Sequence, residues 1–181
     1  MTKARTLANF DSSGVLTSTS SLDASLLTGN LPALNGSALT NLAAGGKVLQ
    51  VVNEVFTHDR ETTSQTFTSS SDWAKASITP TAANSKIYVQ FSSTGRNGSG
   101  GGETFYTIYR DGTVNLAGNA SGLCVTKIQD TGTTPLYMGL IDTPSTTNEV
   151  EYQIYMKQNY GVYGYYGRGG LTTVTLIEIA S

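Results

Sequence analysis

Cysteine and histidine are almost absent from this 181-residue chain, which has one of each, Cys124 and His58. One cysteine cannot form a disulfide within the chain, and this pair cannot build a Cys/His metal cluster. The usual catalytic triads and dyads would all have to use His58, which lies in the polar, turn-like stretch "FTHDRE". The sequence therefore predicts no catalytic residue, metal or cofactor, and we expect Cys124 to be an inert thiol in a strand.

Charge is also scarce, because Asp, Glu, Lys and Arg make up 13% of the residues and the formal net charge is -2. Such a chain has no general attraction to a phosphate backbone or to anionic lipid, so nucleic acid is not an expected partner. The carboxylate pairs Glu149/Glu151 and Asp59/Glu61 fall on a solvated strand face and in a polar loop. We expect these pairs to be solvated surface charge and the protein not to be an enzyme.

No hydrophobic run is long enough to span a bilayer, and the start "MTKARTLANF" has no apolar stretch behind its two basic residues. These features predict no membrane insertion and no secretory signal. We therefore expect the chain to be made and folded in a cytoplasm.

Residues 1 to about 46 are rich in Leu, Ser, Thr, Asn, Gly and Ala and contain almost no aromatic residue. "LDASLLTGNL" and "LNGSALTNL" are related at an offset of about twelve residues, which is weak evidence of a repeat. The leucines follow neither a helical nor a two-residue period. They are the first candidates for a trimer interface: Leu22, Leu27, Leu31, Leu34, Leu39 and Leu42.

An extended segment of this kind cannot bury its leucines against itself. Ordering the backbone costs roughly 1–2 kcal/mol per residue, so a second surface is needed to recover that cost. We predict that residues 13–46 form a shaft-like segment that becomes ordered when copies of the chain associate. A disordered Ser/Thr-rich linker is the alternative.

The remaining residues, 47–181, predict short strands separated by Gly, Asn, Asp, Pro and Ser clusters, and no convincing amphipathic helix. The expected fold is all-β, an antiparallel β-sandwich. The ten predicted strands are 47–56, 64–69, 74–80, 85–93, 104–110, 123–129, 136–142, 149–158, 162–168 and 171–180.

Alternation assigns faces to several of these strands. In "EVEYQIYMKQ" the apolar residues from Val150 to Met156 share one face, which is typical of a half-buried strand. The last strand is apolar on both faces, with Val174 and Leu176 on one and Ile177 and Ile179 on the other. Its outer face needs a cover, and we expect Ile177 and Ile179 to lie in a subunit interface.

The stretch "NYGVYGYYGRGG" concentrates tyrosines beside glycines and one arginine. Alternation places Tyr163 and Tyr165 on one face and Tyr166 and Arg168 on the other. Exposed Tyr with Arg favours recognition, because both offer large contact area and polar groups. Burial in the core or along a trimer axis is the alternative. All four residues are candidates for contact with a receptor.

"GRNGSGGGE", residues 95–103, lacks the Gly-Lys-Ser/Thr ending and the following helix of a phosphate-binding loop. It predicts a long, mobile hairpin loop at the tip of the domain, where recognition residues can vary. Arg96 and Asn97 are therefore further receptor-binding candidates.

Five stretches occur in an order that resembles phage virion fibres, particularly the C-terminal tip domains of tail fibres from marine and cyanobacterial phages. The resemblance covers roughly residues 22–181. The stretches are "LNGSALTNL", "ITPTAANSKIYVQFSS", "IYRDGT", "LIDTPSTTNEVEYQIYMK" and "TTVTLIEIA".

The resemblance implies a non-enzymatic homotrimer in the virion. Residues 1–12 would then be a virion attachment peptide that binds tail, collar or capsid proteins. Residues 13–46 would be a short, intertwined, trimeric fibre segment, and residues 47–181 a distal β-sandwich tip domain. The expected function is adhesion to the host cell surface, with a surface glycan as the candidate receptor. A head or collar decoration fibre that binds no receptor is one alternative, and a lectin-like carbohydrate-binding module is another.

Overall fold

A computed structural model of the chain describes residues 46–69, 73–97, 102–127, 133–160, 164–167 and 169–181. The predicted attachment peptide, the six leucines of the fibre segment, Tyr163 and Arg168 lie outside the described residues, and so does the side chain of Asn97. The described residues all belong to one compact unit, residues 41–181.

The described residues form antiparallel strands and no helix, so the predicted all-β sandwich is confirmed. The strands are β1 Val48–Phe56, β2 Arg60–Thr62, β3 Lys75–Ile78, β4 Lys86–Asn97, β5 Glu103–Arg110, β6 Val114–Asn115, β7 Cys124–Lys127, β8 Thr134–Asp142, β9 Val150–Gln158, β10 Gly164–Tyr166 and β11 Thr172–Ile179.

The strands form two layers. Layer I has the order β8-β4-β11-β1, with β10 continuing β11 along the edge of β4 and β2 pairing with β10. Layer II has the order β3-β9-β5, and both β6 and β7 pair with the far edge of β5. When β1 and β2, β6 and β7, and β10 and β11 are each counted as one interrupted strand, eight strands remain. Their order is that of a jelly roll, in which the chain repeatedly crosses between the layers.

In each strand every second side chain points between the layers, and these side chains form the core. Ile87, Val89 and Phe91 of β4 are fully buried, as the alternation in "SKIYVQFSS" indicates. Val150, Tyr152, Ile154 and Met156 of β9 meet them from layer II. Each large apolar side chain removed from water contributes about 1.5–3 kcal/mol, so this core holds the two layers together.

The predicted strand at 64–69 is wrong. These residues form only an isolated bridge, Thr68 to Met156, and the short strand in this region is β2, at Arg60–Thr62. The Ser64 hydroxyl donates to the Thr66 carbonyl oxygen. Such a local hydrogen bond favours a turn over pairing with a neighbouring strand. The predicted hairpin loop at 95–103 is also too long, because β4 continues to Asn97 and β5 begins at Glu103.

The two ends of the sandwich carry different features. At the entry end, the Gly46 amide donates to the Ala180 carbonyl, so β1 begins beside the end of β11. Strands β3, β5 and β8 also end there. Asp142, the last residue of β8, pairs with Ile87 near the start of β4, and Ile78, the last residue of β3, pairs with Val150 at the start of β9. At the opposite end, here called the hairpin end, β4, β7 and β9 end and β5, β8 and β10 begin.

Candidate functional site

The outward side of layer I carries two distinct groups of side chains. Residues that pair directly across neighbouring strands point to the same side of a sheet, so the register places each side chain in a row. Toward the entry end these rows are mostly apolar. At the hairpin end, one row combines an aromatic ring with two charges.

The row at the hairpin end contains Glu61, Tyr165 and Arg96. Tyr165 of β10 pairs with Arg96 of β4 on one side and with Glu61 of β2 on the other. The Arg96 guanidinium carbon lies 5.7 Å from the centre of the Tyr165 ring, in cation-π contact. Glu61 is exposed, whereas Tyr165 and Arg96 are half-buried. We call these three residues the charged-aromatic row.

One hydrogen bond holds the backbone of Tyr165 from the interior side of layer I. The Tyr106 hydroxyl, which is buried between the layers, donates to the Tyr165 carbonyl at 2.6 Å. Burial raises the pKa of Tyr106 to about 12, so its hydroxyl stays protonated and remains a donor. Gly95, beside Arg96, leaves room for this ring, because a Cβ there would lie 3.1 Å from the Tyr106 hydroxyl oxygen.

The row offers three different kinds of group on one outer surface. A tyrosine ring offers an apolar surface, a guanidinium offers planar donors and a carboxylate offers acceptors. Such groups can contact a ligand without any chemical step.

The structure corrects the prediction for Tyr166. This residue is fully buried, and its ring centre lies 5.3 Å from that of Trp73. Phe56 meets the same indole edge-on, also at 5.3 Å, and Arg60 covers it with its guanidinium carbon 4.9 Å from the ring centre. Burial raises the pKa of Tyr166. Tyr166 is a core residue, so it cannot contact a receptor.

A sharp corner between β10 and β11 separates this aromatic cluster from the outer surface. Gly167 has a φ of 79°, and a Cβ there would lie 2.7 Å from the His58 carbonyl oxygen and 3.0 Å from the Trp73 ring. A side chain at this position would be strained and would also clash. Glycine at 167 therefore lets the chain turn closely over Trp73 while Tyr165 remains on the outside.

Of the predicted receptor-binding residues, the structure brings Tyr165 and Arg96 together. Glu61 was not predicted as a binding residue, because "FTHDRE" was interpreted as a loop. Its strand, β2, has only three residues, and the pairing with β10 spans about a hundred positions of sequence. No local period could have indicated that contact.

The rows toward the entry end form the outer apolar face. One row runs Val51, Ile177, Tyr88, Ile141 across four strands, and another runs Val55, Thr173, Ser92, Tyr137. Val51, Tyr137 and Ile141 are 58%, 57% and 59% exposed. Ile177 and Ile179 are half-buried on this side while Val174 and Leu176 are buried inside, so the predicted division of the last strand is confirmed.

Tyr88 lies flat on this face. Its hydroxyl oxygen is 2.9 Å from that of Tyr137. The ring crosses Gly139, where a Cβ would lie 2.9 Å from the Tyr88 hydroxyl oxygen. The hydrogen bond with Tyr137 and burial both raise the pKa of Tyr88, so the Tyr88 hydroxyl stays protonated. The rows of Val51 and Val55 are separated by a polar, uncharged row that contains Asn53, Thr175 and Gln90.

One group of polar side chains between the layers lies at the entry end. Arg110 of β5 donates from one nitrogen to both carboxylate oxygens of Asp142, at 2.9 and 2.8 Å, and the Tyr152 hydroxyl donates to the same carboxylate at 2.8 Å. Asp142 thereby joins layer I to both central strands of layer II. This ion pair is largely shielded from water, and it fixes how the layers are stacked.

Among the residues that the structure describes, no group of three or more His, Cys, Asp or Glu side chains could hold a metal ion. Over the same ranges there is no helix with the length and apolarity needed to cross a membrane. Cys124 is half-buried in β7, and burial raises the pKa of its thiol.

No protein-family model and no curated protein sequence matches the chain. Solved structures that are similar to it include the following two. Latent dimeric PorU from Porphyromonas gingivalis is 12% identical, with a TM-score of 0.31 over 76% of this chain, and infectious bursal disease virus Gx strain is 11% identical, with a TM-score of 0.33 over 84%. This chain spans 14% and 43% of those two chains, respectively.

Proposed function

We propose that this chain is a structural subunit of a phage virion fibre, a homotrimer that attaches to host cells through the hairpin end of its jelly roll. The observation that carries the proposal is the position of the charged-aromatic row. Tyr165, flanked by Arg96 and Glu61, lies at the end of layer I opposite the end where β1 begins. A fibre anchored through its N-terminal segment would present that end to a cell.

The sequence resemblance to phage fibre tip domains supports the same function. Its landmarks occur in the order expected of such domains, and the stretch before Lys47 is similar to their shaft repeats. Attachment to tail, collar or capsid proteins would use residues 1–12. The virion is then the site of the mature protein, after assembly in the cytoplasm of the host bacterium.

Adhesion needs no chemical step in this proposal. A single half-exposed row of three side chains gives weak binding by itself. Equivalent rows on linked subunits, with several fibres on each particle, raise the effective concentration and convert weak contacts into firm attachment. A host surface glycan is the proposed receptor.

The test is binding of the full-length protein to a panel of purified bacterial surface polysaccharides, immobilised on an array. We expect saturable binding that falls at least about tenfold in Tyr165→Ala and Arg96→Ala, since contact residues of this kind cost more than 1 kcal/mol when truncated. Tyr160→Ala is the matched control, because Tyr160 is an exposed tyrosine near the same end but outside the row.

The other outcomes separate the alternatives. If the trimer binds none of the polysaccharides, the adhesion part of the proposal fails, as a decoration fibre predicts. If a monomeric protein binds with unchanged affinity after removal of residues 1–46, a lectin-like module explains the data better. Equal losses in Tyr160→Ala and Tyr165→Ala would mean that the row is not the site.

A further inference from the structure

The outer apolar face of layer I is exposed in a single chain, although it has the character of an interface. Val51, Tyr137 and Ile141 are each more than half exposed and lie on three of the four strands. They are neighbours in rows rather than scattered single residues, because the register aligns them with Ile177 and Tyr88. The exposed apolar side chains lie on either side of one polar, uncharged row, Asn53, Thr175 and Gln90. Several exposed apolar side chains on one face of a sheet mark a surface that another molecule covers.

The size of this face reaches the minimum for a biological interface. Four strands at about 4.8 Å spacing and eight residues at about 3.3 Å rise give roughly 500 Å² of flat area. Two such faces in contact bury about 1,000 Å², which is about the smallest area expected of a biological interface. A single extended segment is one strand wide and would cover about a quarter of the face.

The charge on this face favours a second copy of the same chain. The three rows that begin at Val51, Asn53 and Val55 contain no charged side chain. The middle row is polar and includes Asn53, Thr175 and Gln90. Lys86, at the entry end, is the nearest charge on this side of β4. Two identical surfaces can therefore meet without repulsion between like charges. The charges of a charged partner would find no opposite charge on this face.

The β1 edge of layer I also favours a second copy of the chain as the partner. Among the described residues, β1 is an edge strand of nine residues that contains no Pro and one charge, Glu54. Natural sheets protect such edges with charge, proline or a covering element. At the other edge, β8 carries Pro135 in its ladder. The β1 edge borders the outer apolar face, so one neighbouring subunit can cover both.

We infer that the outer apolar face of layer I, built around Val51, Tyr88, Ile141 and Ile177, packs against another copy of this chain. The inference deepens the homotrimer part of the proposed function, since it adds a contact between the sandwiches to the one predicted in residues 13–46. It is independent of what the charged-aromatic row binds. Failure of this contact would therefore leave glycan binding unaffected, and the two proposals can fail separately.

The experiment measures thiol accessibility together with molar mass, using the full-length protein. In a Cys124→Ser background, Val51→Cys and Ile141→Cys place a thiol on the face. Val125→Cys places one on the outer side of β7 in layer II, where Val125 is 50% exposed, compared with 58% for Val51. Each variant is labelled with a maleimide, and light scattering gives the molar mass at the same concentration.

We expect a molar mass that is two or more times the 19.1 kDa of one chain. We also expect the maleimide to label Val51→Cys and Ile141→Cys at least about tenfold more slowly than Val125→Cys. An oligomer in which all three thiols react equally would overturn the inference, because the copies would then associate elsewhere. A protected face in a monomer would overturn it too, by showing that the chain covers its own face. A monomer with an open face would be the third contradictory result.

Discussion

Tyr165 and Tyr166 are adjacent in the chain but have opposite environments. Tyr165 lies on the outer side of layer I beside Arg96, whereas Tyr166 packs against Trp73 in the interior. The alternation in "VYGYYGR" predicted that these two rings point to opposite faces, and that part is confirmed. It could not say which face is the interior, because a tyrosine suits a core as well as a binding surface.

Substitutions at 166 test its role as a core residue. The Tyr166 hydroxyl is buried and has no hydrogen-bond partner among the described residues. Tyr166→Phe removes this unpaired group, so we expect the free energy of unfolding to stay the same or to rise slightly. Tyr166→Ala leaves a cavity beside Trp73 and should cost about 3–5 kcal/mol. Chemical denaturation at fixed protein concentration measures both effects.

Tyr165→Ala is the matched control for these variants, because it removes the neighbouring ring from the outer side of the same strand. We expect it to change the free energy of unfolding by less than about 1 kcal/mol. If Tyr166→Ala were as stable as the wild type and lost glycan binding instead, the assignment of Tyr166 to the core would be wrong.

At the scale of strands, sequence patterns predicted the long elements and missed the short ones. β4, β9 and β11 alternate over eight or more residues, and that period identified both their existence and their buried faces. β2 and β6 have three and two residues, too few to show a period. The 64–69 stretch looks like a strand because of its Thr and Phe residues, but its hydroxyl groups bond locally. The charged-aromatic row depends on β2, which explains why Glu61 was not foreseen.

A buried carboxylate attaches the connection between β3 and β4 to layer I. Glu178 of β11 is fully buried, and it accepts hydrogen bonds from the Thr81 amide and hydroxyl, both at 2.7 Å, and from the Gln50 amide at 2.6 Å. Burial by itself raises the pKa of Glu178, but polar groups of Ser85, Thr81 and Gln50 outweigh it and lower the pKa to about 2, from an ordinary 4.5.

This shift predicts how stability depends on pH. The folded pKa is lower than the unfolded one, so the contribution is complete above pH 4.5 and is lost as the pH falls toward 2. Glu178→Gln should cost about 1–2 kcal/mol at pH 7, because an amide cannot accept these bonds equally well. The difference between wild type and variant should vanish near pH 2. Denaturant midpoints across this range measure the effect.

Glu54→Gln is the control for Glu178, because Glu54 is an exposed carboxylate on the neighbouring strand β1. We expect its stability to follow the wild-type curve at every pH. A constant difference between wild type and Glu178→Gln down to pH 2 would contradict the assignment, since the carboxylate would then contribute nothing through its charge.

At the scale of the whole molecule, the sequence predicted a sandwich but not its jelly-roll order. Strand period reports which face is buried and carries no information about which strands are neighbours. The order depends on pairings such as β1 with β11, whose partners are more than a hundred residues apart. The same order places the entry of β1 at one end and the charged-aromatic row at the other, and it assembles the outer apolar face from β1, β4, β8 and β11.

The central claim is that this chain is a virion fibre subunit whose hairpin end faces the host. Electron cryo-microscopy of phage particles that carry the chain tests it most directly. We predict a trimeric protrusion in which the Gly46 end of each sandwich is nearest the particle, the row of Tyr165 and Arg96 is farthest from it, and layer I faces a neighbouring copy. A chain that is absent from the particle, or one whose hairpin end is buried against other virion proteins, would contradict the claim.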